Sequence, residues 1–365
     1  MGDRLWCLGN TSAKQQLSLG NSSAGAGRLV SQPARRRRCR LVAVSSVAAV
    51  LAVASGVPAG ASTATRPSAA ATSAVSQGLR SWSGYIRSTD GVRLWVHSVG
   101  GGAAGARVIV LVHGGPGLTL NYLSIFDSLA GPTRQIVSYD QRGAGLSTQP
   151  SNNVYGLAAQ ASDLESVRRW TGARQITILG HSWGGVPAAV YTATHPDHVA
   201  ALALLDALPL SWAAFVAGED RLGKRITMLQ SEGLIPNPLP GFGHNSCLAR
   251  QKALTPAYLA NPREHVNRSA LWGPSCTFST LVRTFNAFYR DRGELPGLAA
   301  ALGRWRGRAL VMQGAEDGFG LQWLRLSVAQ LRSAPTQSVV VYRAGHFPWV
   351  ERAGFVLKTV SLFTR

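Results

Sequence analysis

Short apolar runs, separated by polar or glycine-rich segments, dominate the pattern of hydrophobic positions from about residue 80 onwards. Residues 82–87 and 92–98 alternate between apolar and polar positions around a Thr-Asp-Gly turn, and this pattern predicts a β-hairpin. The later runs are more continuously apolar, which is typical of strands buried inside a sheet. These runs are residues 108–112, 135–139, 176–179, 199–205, 309–313 and 338–342.

Helical patterns alternate with several of these strands. Apolar residues recur at helical spacing between Ala161 and Trp170, and Gly172 follows them as a helix stop. Small and apolar residues from 186 to 194 predict a second, closely packed helix. Strands and helices that alternate in this way build an α/β domain, whose mostly parallel sheet is covered by helices on both faces.

The first 61 residues have the pattern of a secretory signal peptide with an unusually long basic region. An arginine cluster at residues 35–40 precedes the uncharged apolar run 41–57, and small residues follow up to Ala61. We therefore expect export, with cleavage after about Ala61. The alternative is an uncleaved membrane anchor, although the apolar run is short for a membrane span. Residues 62–79 are rich in Ala, Ser and Thr and predict a disordered linker.

The formal net charge of +20 over 365 residues raises the question of a nucleic-acid partner. About a third of this charge lies in residues 1–61, and the remaining positive residues are mostly scattered arginines. A nucleic-acid-binding protein would concentrate them on one face with aromatic residues between. We therefore expect no nucleic-acid partner and, after signal cleavage, no stable membrane association. The sequence indicates no particular oligomeric state.

Cysteine usage agrees with export. Cys7 and Cys39 fall in the segment predicted to be removed, which leaves Cys247 and Cys276 as a pair. Two cysteines in an oxidising compartment predict a disulfide bond. The histidines near this pair do not match the ligand spacing of a zinc site, so we expect no bound metal.

The candidate chemistry centres on Ser182, which lies between the predicted strand 176–179 and the predicted helix 186–194. Residues 180–184 form a Gly-x-Ser-x-Gly turn, the nucleophile elbow that lifts a serine Oγ clear of a sheet. Serine at its ordinary pKa is a poor nucleophile, so such a residue needs a neighbouring base. Ser182 is therefore the predicted nucleophile.

A glycine-rich loop, residues 113–117, directly follows the predicted strand 108–112 and offers backbone N–H groups. In sites built on a nucleophile elbow, one oxyanion-hole N–H comes from such a loop and the other from the residue after the nucleophile. Gly115 and Trp183 are the predicted donors, with Gly114 as the alternative to Gly115.

Three motifs resemble those of the prolyl iminopeptidase family of serine aminopeptidases and its α/β-hydrolase relatives. They are His-Gly-Gly-Pro-Gly at 113–117, Asp-Gln-Arg-Gly-x-Gly-x-Ser at 140–147 and Gly-x-Ser-Trp-Gly-Gly at 180–185. The resemblance implies an α/β-hydrolase fold with an inserted, mainly helical cap. The implied boundaries are 80–207 and 304–365 for the two core segments and 208–303 for the cap.

The resemblance also implies a chain order of serine, acid and histidine, with the acid and the histidine after successive strands. Asp317 follows the strand 309–313 at the family's Gly-x-x-Asp position, and Glu316 is the runner-up. His346 follows the strand 338–342. Ser182, His346 and Asp317 are thus the predicted nucleophile, general base and orienting acid.

Aminopeptidases of this family bind the free α-amine of their substrate with acidic residues of the cap. The predicted cap has several acidic side chains, none of them in a recognisable motif, so a solvated surface carboxylate is the better explanation for each one taken separately. The main candidates are Glu219, Glu232, Glu264 and Glu294, together with Asp220 and Asp291.

Three interpretations of the function compete. The first is an aminopeptidase of the prolyl iminopeptidase type acting on small peptides, and the second is an esterase or amidase acting on small acyl substrates. The third is a non-enzymatic binding protein, against which the complete set of predicted catalytic residues argues. Neither enzymatic interpretation requires a cofactor. The glycine-rich residues 100–105 match a dinucleotide-binding motif only by letter, because no helix follows them.

Overall fold

A single mixed sheet organises the protein, of which the computed structural model describes residues 79–241 and 246–365. The predicted signal peptide, Cys7, Cys39 and nearly all of the predicted linker lie outside the described residues. The strands are β1 (Ser81–Arg87), β2 (Arg93–Gly100), β3 (Arg107–Val112), β4 (Arg134–Tyr139), β5 (Ile176–His181), β6 (Val199–Leu205), β7 (Arg308–Gly314) and β8 (Thr336–Val341). Within the sheet their order is β1-β2-β4-β3-β5-β6-β7-β8.

The strand directions follow the predicted pattern. β2 pairs antiparallel with both β1 and β4, so the first two strands form the expected hairpin. From β4 to β8 all neighbours are parallel. Because the carboxyl ends of parallel strands meet at one edge of the sheet, the loops that follow β3, β5, β7 and β8 converge there.

Helices connect most of these strands. The helices are α1 (Leu157–Thr171), α2 (Gly185–Thr194), α3 (Trp212–Ser231), α4 (Ser246–Tyr258), α5 (Arg268–Trp272), α6 (Phe278–Asp291), α7 (Leu295–Leu302), α8 (Gln322–Gln330), α9 (Pro348–Glu351) and α10 (Ala353–Phe363). A 3₁₀-helical segment, Leu120–Leu129, follows the glycine-rich loop after β3. Among the described residues, no helix is both long and apolar enough to cross a lipid bilayer.

Two hydrophobic clusters, one on each face of the sheet, form the core. Because side chains alternate along a strand, Val108 and Val110 of β3 belong to one cluster while Ile109 and Leu111 belong to the other. The first cluster includes side chains of α1 and α2, and the second includes those of α10 and the 3₁₀-helical segment. The sheet is therefore covered on both faces, and the predicted fold class is confirmed.

Helices α3 to α7 lie between β6 and β7, in the stretch predicted to be a cap. The Ser211 Oγ accepts a hydrogen bond from the Ala214 N–H and caps the first turn of α3. On the core side, the Trp323 indole of α8 donates to the Ala214 carbonyl oxygen at 3.0 Å. A disulfide bond joins Cys247 in α4 to Cys276, two residues before α6 begins.

Candidate active site

Ser182 occupies a sharp turn between β5 and α2. Its φ is +54°, in the left-handed region that non-glycine residues seldom adopt, so the turn is strained. The flanking glycines make this turn feasible, since a Cβ on Gly180 would lie 2.6 Å from the Gly184 carbonyl oxygen. Ser182 is partly exposed, whereas the residues on either side of it are buried. The turn therefore presents its hydroxyl to the space above the sheet edge.

A continuous hydrogen-bonded chain runs from Ser182 to Asp317. The Ser182 Oγ lies 2.9 Å from Nε2 of His346, and Nδ1 of His346 lies 3.1 Å from Oδ2 of Asp317. His346 and Asp317 follow β8 and β7 and are only 2% and 5% exposed. The carboxylate accepts a hydrogen bond from Nδ1–H, which leaves Nε2 unprotonated and able to accept the serine proton. The structure thus brings together the three residues predicted to form the triad.

Two donors besides His346 hold the Asp317 carboxylate. The side-chain amide of Gln313 donates to Oδ2 at 2.8 Å, and the Phe319 N–H donates to Oδ1 at 3.1 Å. Glu316, the runner-up for the acid, is exposed, and its Oε2 accepts a hydrogen bond from the Ala344 N–H instead. Only Asp317 of this adjacent pair contacts the histidine.

The glycine-rich loop after β3 lies beside Ser182, and the structure distinguishes its two candidate N–H donors. The Gly114 N–H donates to the Tyr122 hydroxyl, which in turn lies 2.9 Å from Nδ1 of His181. Nε2 of His181 completes the network with a hydrogen bond to the His346 carbonyl oxygen. Gly114 is therefore engaged within the protein, while Gly115 lines the pocket above Ser182.

Burial keeps the neighbouring histidines of this network neutral. Desolvation, followed by the charge of His346, holds the pKa of His181 well below its ordinary value. Burial also lowers the pKa of His113 to about 4, and its Nε2 accepts a hydrogen bond from the Gln141 N–H. Both residues act as hydrogen-bonding supports of the loops around Ser182.

A sequence profile for the alpha/beta hydrolase fold matches residues 107–353, about two thirds of the chain. The chain belongs to the α/β-hydrolase fold family. With the proline iminopeptidase of Clostridium botulinum it shares 37% identity over 103 residues, 28% of this chain and 35% of that protein. The matched region therefore spans about a third of the length of the curated relatives.

Solved structures of other α/β-hydrolases share the fold. The Cif epoxide hydrolase from Acinetobacter nosocomialis superposes with a TM-score of 0.62 and 18% identity, covering 80% of this chain and 90% of that one. The proline iminopeptidase of Mycobacterium smegmatis has a TM-score of 0.54 and 20% identity, covering 78% of this chain and 97% of that one. At this level of identity the likeness concerns the fold alone.

In this α/β-hydrolase a pocket opens above Ser182, between the sheet edge and the cap. Ser182, His346 and Gly115 line its floor. The cap contributes mostly apolar walls, namely Leu222, Ile226, Leu254, Phe278, Leu281 and Phe285. Glu219, Arg250 and Tyr258 add polar groups to the lining.

Glu219 of α3 is the one cap carboxylate, among the described residues, that lines this pocket. Burial raises the pKa of its carboxyl group to about 7, since water is partly excluded from its surroundings. Of the other five candidates, Glu232, Glu264, Glu294 and Asp220 are exposed, and Asp291 accepts a hydrogen bond from the Leu157 N–H of α1. Glu232 lies 4.0 Å from Arg263, and Glu264 accepts a hydrogen bond from Asn261. The structure thus places only Glu219 near Ser182.

The cap is tied to the loop that carries His346. The His346 N–H donates to the Tyr258 carbonyl oxygen at 2.7 Å, at the end of α4. Glu351 of α9 accepts from the Gly345 N–H with one carboxylate oxygen and from the N–H groups of Ala260 and Asn261 with the other. These bonds make the position of the histidine backbone depend on the cap.

A second buried carboxyl, that of Asp206, lies beside the triad. One side-chain atom each of Asp206, Asp317 and His346 lies within 4.8 Å of the others. N–H donors from Gly314, Gln313 and Phe319 point at the two carboxyl groups. N–H groups occupy three of the four carboxyl oxygens, so the cluster fits hydrogen bonding better than metal ligation.

Sequence reasoning missed Asp206, Tyr122 and Glu351. The position of Asp206 could have been noticed in the sequence, because this residue directly follows the strand β6. In the sheet β6 is the neighbour of β7, the strand that precedes Asp317. No sequence pattern pointed to Tyr122 or Glu351. Tyr122 bonds to His181, 59 residues along the chain, and Glu351 bonds to the N–H of Ala260, about 90 residues away.

Proposed function

We propose that this α/β-hydrolase is an exported serine hydrolase that cleaves amide bonds as an aminopeptidase of the prolyl iminopeptidase type. The observation that carries the proposal is the hydrogen-bonded chain from Asp317 through His346 to Ser182, at the floor of a pocket whose wall includes a carboxyl group. This arrangement has the parts that acyl transfer requires: a nucleophile, a base and an orienting acid.

The mechanism follows from the geometry. Nε2 of His346 accepts the Ser182 proton as Oγ attacks the scissile carbonyl, and Asp317 stabilises the imidazolium that forms. The N–H groups of Gly115 and Trp183 bind the oxyanion, each contributing about 3 kcal/mol to lowering the barrier. The imidazolium then protonates the leaving amine, and water, activated by the same histidine, releases the acyl group.

Glu219 supports an aminopeptidase over other amidases. A carboxylate in a partly dry pocket is costly unless a cation compensates for its lost hydration. The free α-ammonium of a peptide substrate supplies that cation, and its binding stabilises the ionised form of Glu219. Recognition of the amine by Glu219 would place the first peptide bond over Ser182.

Two features support export. The pattern of residues 1–61 is that of a signal peptide. The disulfide between Cys247 and Cys276 is a type of bond that persists in oxidising compartments.

The alternative function is that of an esterase or amidase acting on small acyl substrates. The apolar cap residues around the pocket favour it, since Leu222, Ile226 and Leu254 could enclose an acyl chain equally well. In that case Glu219 would act as a neutral polar group in the wall.

A panel of chromogenic substrates tests the proposal. It contains amides of proline and other amino acids, each with a free or an acetylated amine, and short acyl esters for comparison. We expect free amines to be cleaved with a kcat/KM at least about 100-fold above that of acetylated ones. Glu219→Gln should remove most of this preference, whereas Glu232→Gln, a matched change at an exposed cap residue, should preserve it. Ser182→Ala should abolish all hydrolysis.

Each alternative has its own outcome. Equal cleavage of free and acetylated amides would overturn the aminopeptidase assignment, and cleavage of esters alone would establish the alternative. Hydrolysis that survives in purified Ser182→Ala protein would remove the serine-hydrolase mechanism itself.

A further inference from the structure

Asp206 is held rigidly at the sheet edge next to the triad. It directly follows β6, has a φ of +46° and is 0% exposed. Its N–H donates to the Met312 carbonyl oxygen of β7 at 2.8 Å, and its Oδ1 accepts from the Gly314 N–H at 2.9 Å. Two hydrogen bonds to one neighbouring strand thus fix both its backbone and one carboxyl oxygen.

The second oxygen of Asp206 has an unusual environment. Oδ2 is buried and, among the described residues, meets no N–H or O–H donor. Instead the carboxyl groups of Asp206 and Asp317 lie side by side, with one oxygen of each within 4.8 Å of the other. Two ionised carboxylates at this separation, shielded from water, would repel each other strongly, so the pair favours a single shared negative charge.

The surrounding donors decide which residue carries that charge. Asp317 receives hydrogen bonds from Gln313, Phe319 and His346, which together stabilise a carboxylate. From the part of the chain that the structure describes, the Asp206 carboxyl group receives one hydrogen bond, from Gly314. A proton on Oδ2 of Asp206 would convert the unpaired oxygen into a donor and the repulsion into an O–H···O bond.

We propose that Asp206 is protonated and donates a hydrogen bond to Asp317, which makes it a positioning residue that acts on His346 through Asp317. The hydrogen bond that this proton forms fixes the orientation of the Asp317 carboxylate. It also reduces the negative charge that Asp317 presents to the imidazole of His346. His346 is then a weaker base than it would be beside an isolated carboxylate. The functional part of the proposal rests on Ser182 being the nucleophile; the placement of the proton does not.

The other charged groups around Asp206 agree with this placement. Burial first, and then the charges of Asp317 and Glu351, raise the pKa of Asp206 well above its ordinary value. Glu351 faces it from α9, and His346 from the loop after β8. Arg225 of α3 is a cation that interacts electrostatically with Asp317, Glu351 and Glu316. Its guanidinium donates to the Leu259 carbonyl oxygen.

Infrared spectroscopy of the whole protein at pH 8 tests the placement directly. The wild type should show the C=O stretching band of a protonated carboxyl group that is absent from Asp206→Asn. This measurement needs no activity, and asparagine keeps the shape of a protonated aspartic acid while an N–H donor replaces its O–H donor. Absence of any difference band would overturn the proposal.

The rate of Ser182 labelling by a fluorophosphonate, measured against pH, tests the effect on His346. Asp206→Asn should retain most of the wild-type rate and keep the midpoint of the acid limb within about 0.3 pH unit. Asp206→Ala, which lacks any donor, should label about tenfold more slowly and shift that midpoint upward by about 0.5–1 unit. Thermal unfolding of each variant verifies that it is folded.

Two outcomes would overturn the placement of the proton, and a third would overturn only the proposed function. A downward shift of about one unit in Asp206→Asn would mean that Asp206 is ionised in the wild type. An upward shift in the same variant would place the shared proton on Asp317. Both results overturn the proposal. If the wild type shows the infrared band but no labelling at Ser182, the proposed function fails while the proton placement stands.

Discussion

At the scale of single residues, the distinction between Asp317 and Glu316 shows how one position along the chain changes the chemistry. Asp317 is buried and faces His346, while Glu316 is exposed and binds a backbone N–H. Asp317→Asn should therefore lower kcat/KM by about 10³–10⁴-fold, because an amide can neither stabilise the imidazolium nor enforce the correct tautomer. Steady-state kinetics on the best substrate of the amide panel would measure it.

Glu316→Gln is the matched control, since it removes one carboxylate from the adjacent position. We expect its kcat/KM to stay within about threefold of the wild type. A reversal, with Glu316→Gln the more damaging substitution in folded protein, would move the acid assignment to Glu316.

The residues at strand ends could be predicted from the sequence. Ser182, Asp317 and His346 each follow an apolar run, and parallel strands bring their carboxyl ends together whatever the details of packing. The sequence placed Gly115 ahead of Gly114 as the donor, but the bond that occupies the Gly114 N–H could not be predicted, because the Tyr122 hydroxyl comes from the next segment. That Glu219 lines the pocket could not be predicted either, because tertiary packing decides which side of α3 faces the pocket.

At the scale of elements, the strands were predicted more closely than the helices of the cap. β6 has the predicted bounds, and β5, β7 and β8 differ by at most two residues at either end, because continuous apolar runs leave few alternatives. α4 gave no comparable signal. Its apolar residues do not collect on one face, and Pro256 lies inside it. Such a helix is stabilised by its surroundings, including the disulfide at Cys247.

The disulfide joins two elements of the pocket wall and should stabilise the cap. Cys247 and Cys276 are 29 residues apart, and a loop of this length suggests a stabilisation of roughly 3–4 kcal/mol. Reductant should lower the unfolding temperature of the wild type by several degrees, as differential scanning calorimetry would show. Intact-mass analysis would count the free thiols.

A double variant, Cys247→Ala with Cys276→Ala, is the control for this measurement. Its unfolding temperature should resemble that of the reduced wild type and should not respond to reductant. Two free thiols in protein purified from the exported fraction would contradict the bond.

At the scale of the whole molecule, the pocket carboxyl should make stability depend on pH. The pKa of Glu219 is about 7 in the folded protein and 4.5 for the ordinary side chain. The stability contributed by its protonated form is therefore fully present below pH 4.5 and lost as the pH rises through 7. Glu219→Gln should stabilise the protein at pH 8.5 by about 1–2 kcal/mol, allowing for its partial exposure, and change little at pH 4.5.

Chemical denaturation of wild type, Glu219→Gln and Glu232→Gln at both pH values would measure this effect. Glu232 is exposed, so its substitution should change neither free energy of unfolding by more than about 0.5 kcal/mol. If Glu219→Gln raised the free energy of unfolding equally at pH 4.5 and 8.5, packing and not charge would be responsible.

The attachment of the cap to the histidine loop limits how this protein could be re-engineered. Exchanging caps between relatives is an obvious route to new substrate preferences, because the insertion point between β6 and β7 leaves the sheet untouched. Here a transplanted cap would have to supply the carbonyl that Tyr258 offers to the His346 N–H and the two N–H groups that Glu351 holds. A graft chosen for its pocket alone would change the substrate preference but would leave the His346 backbone without this hydrogen bond. The junction after α4 is therefore as much a part of the graft as the pocket.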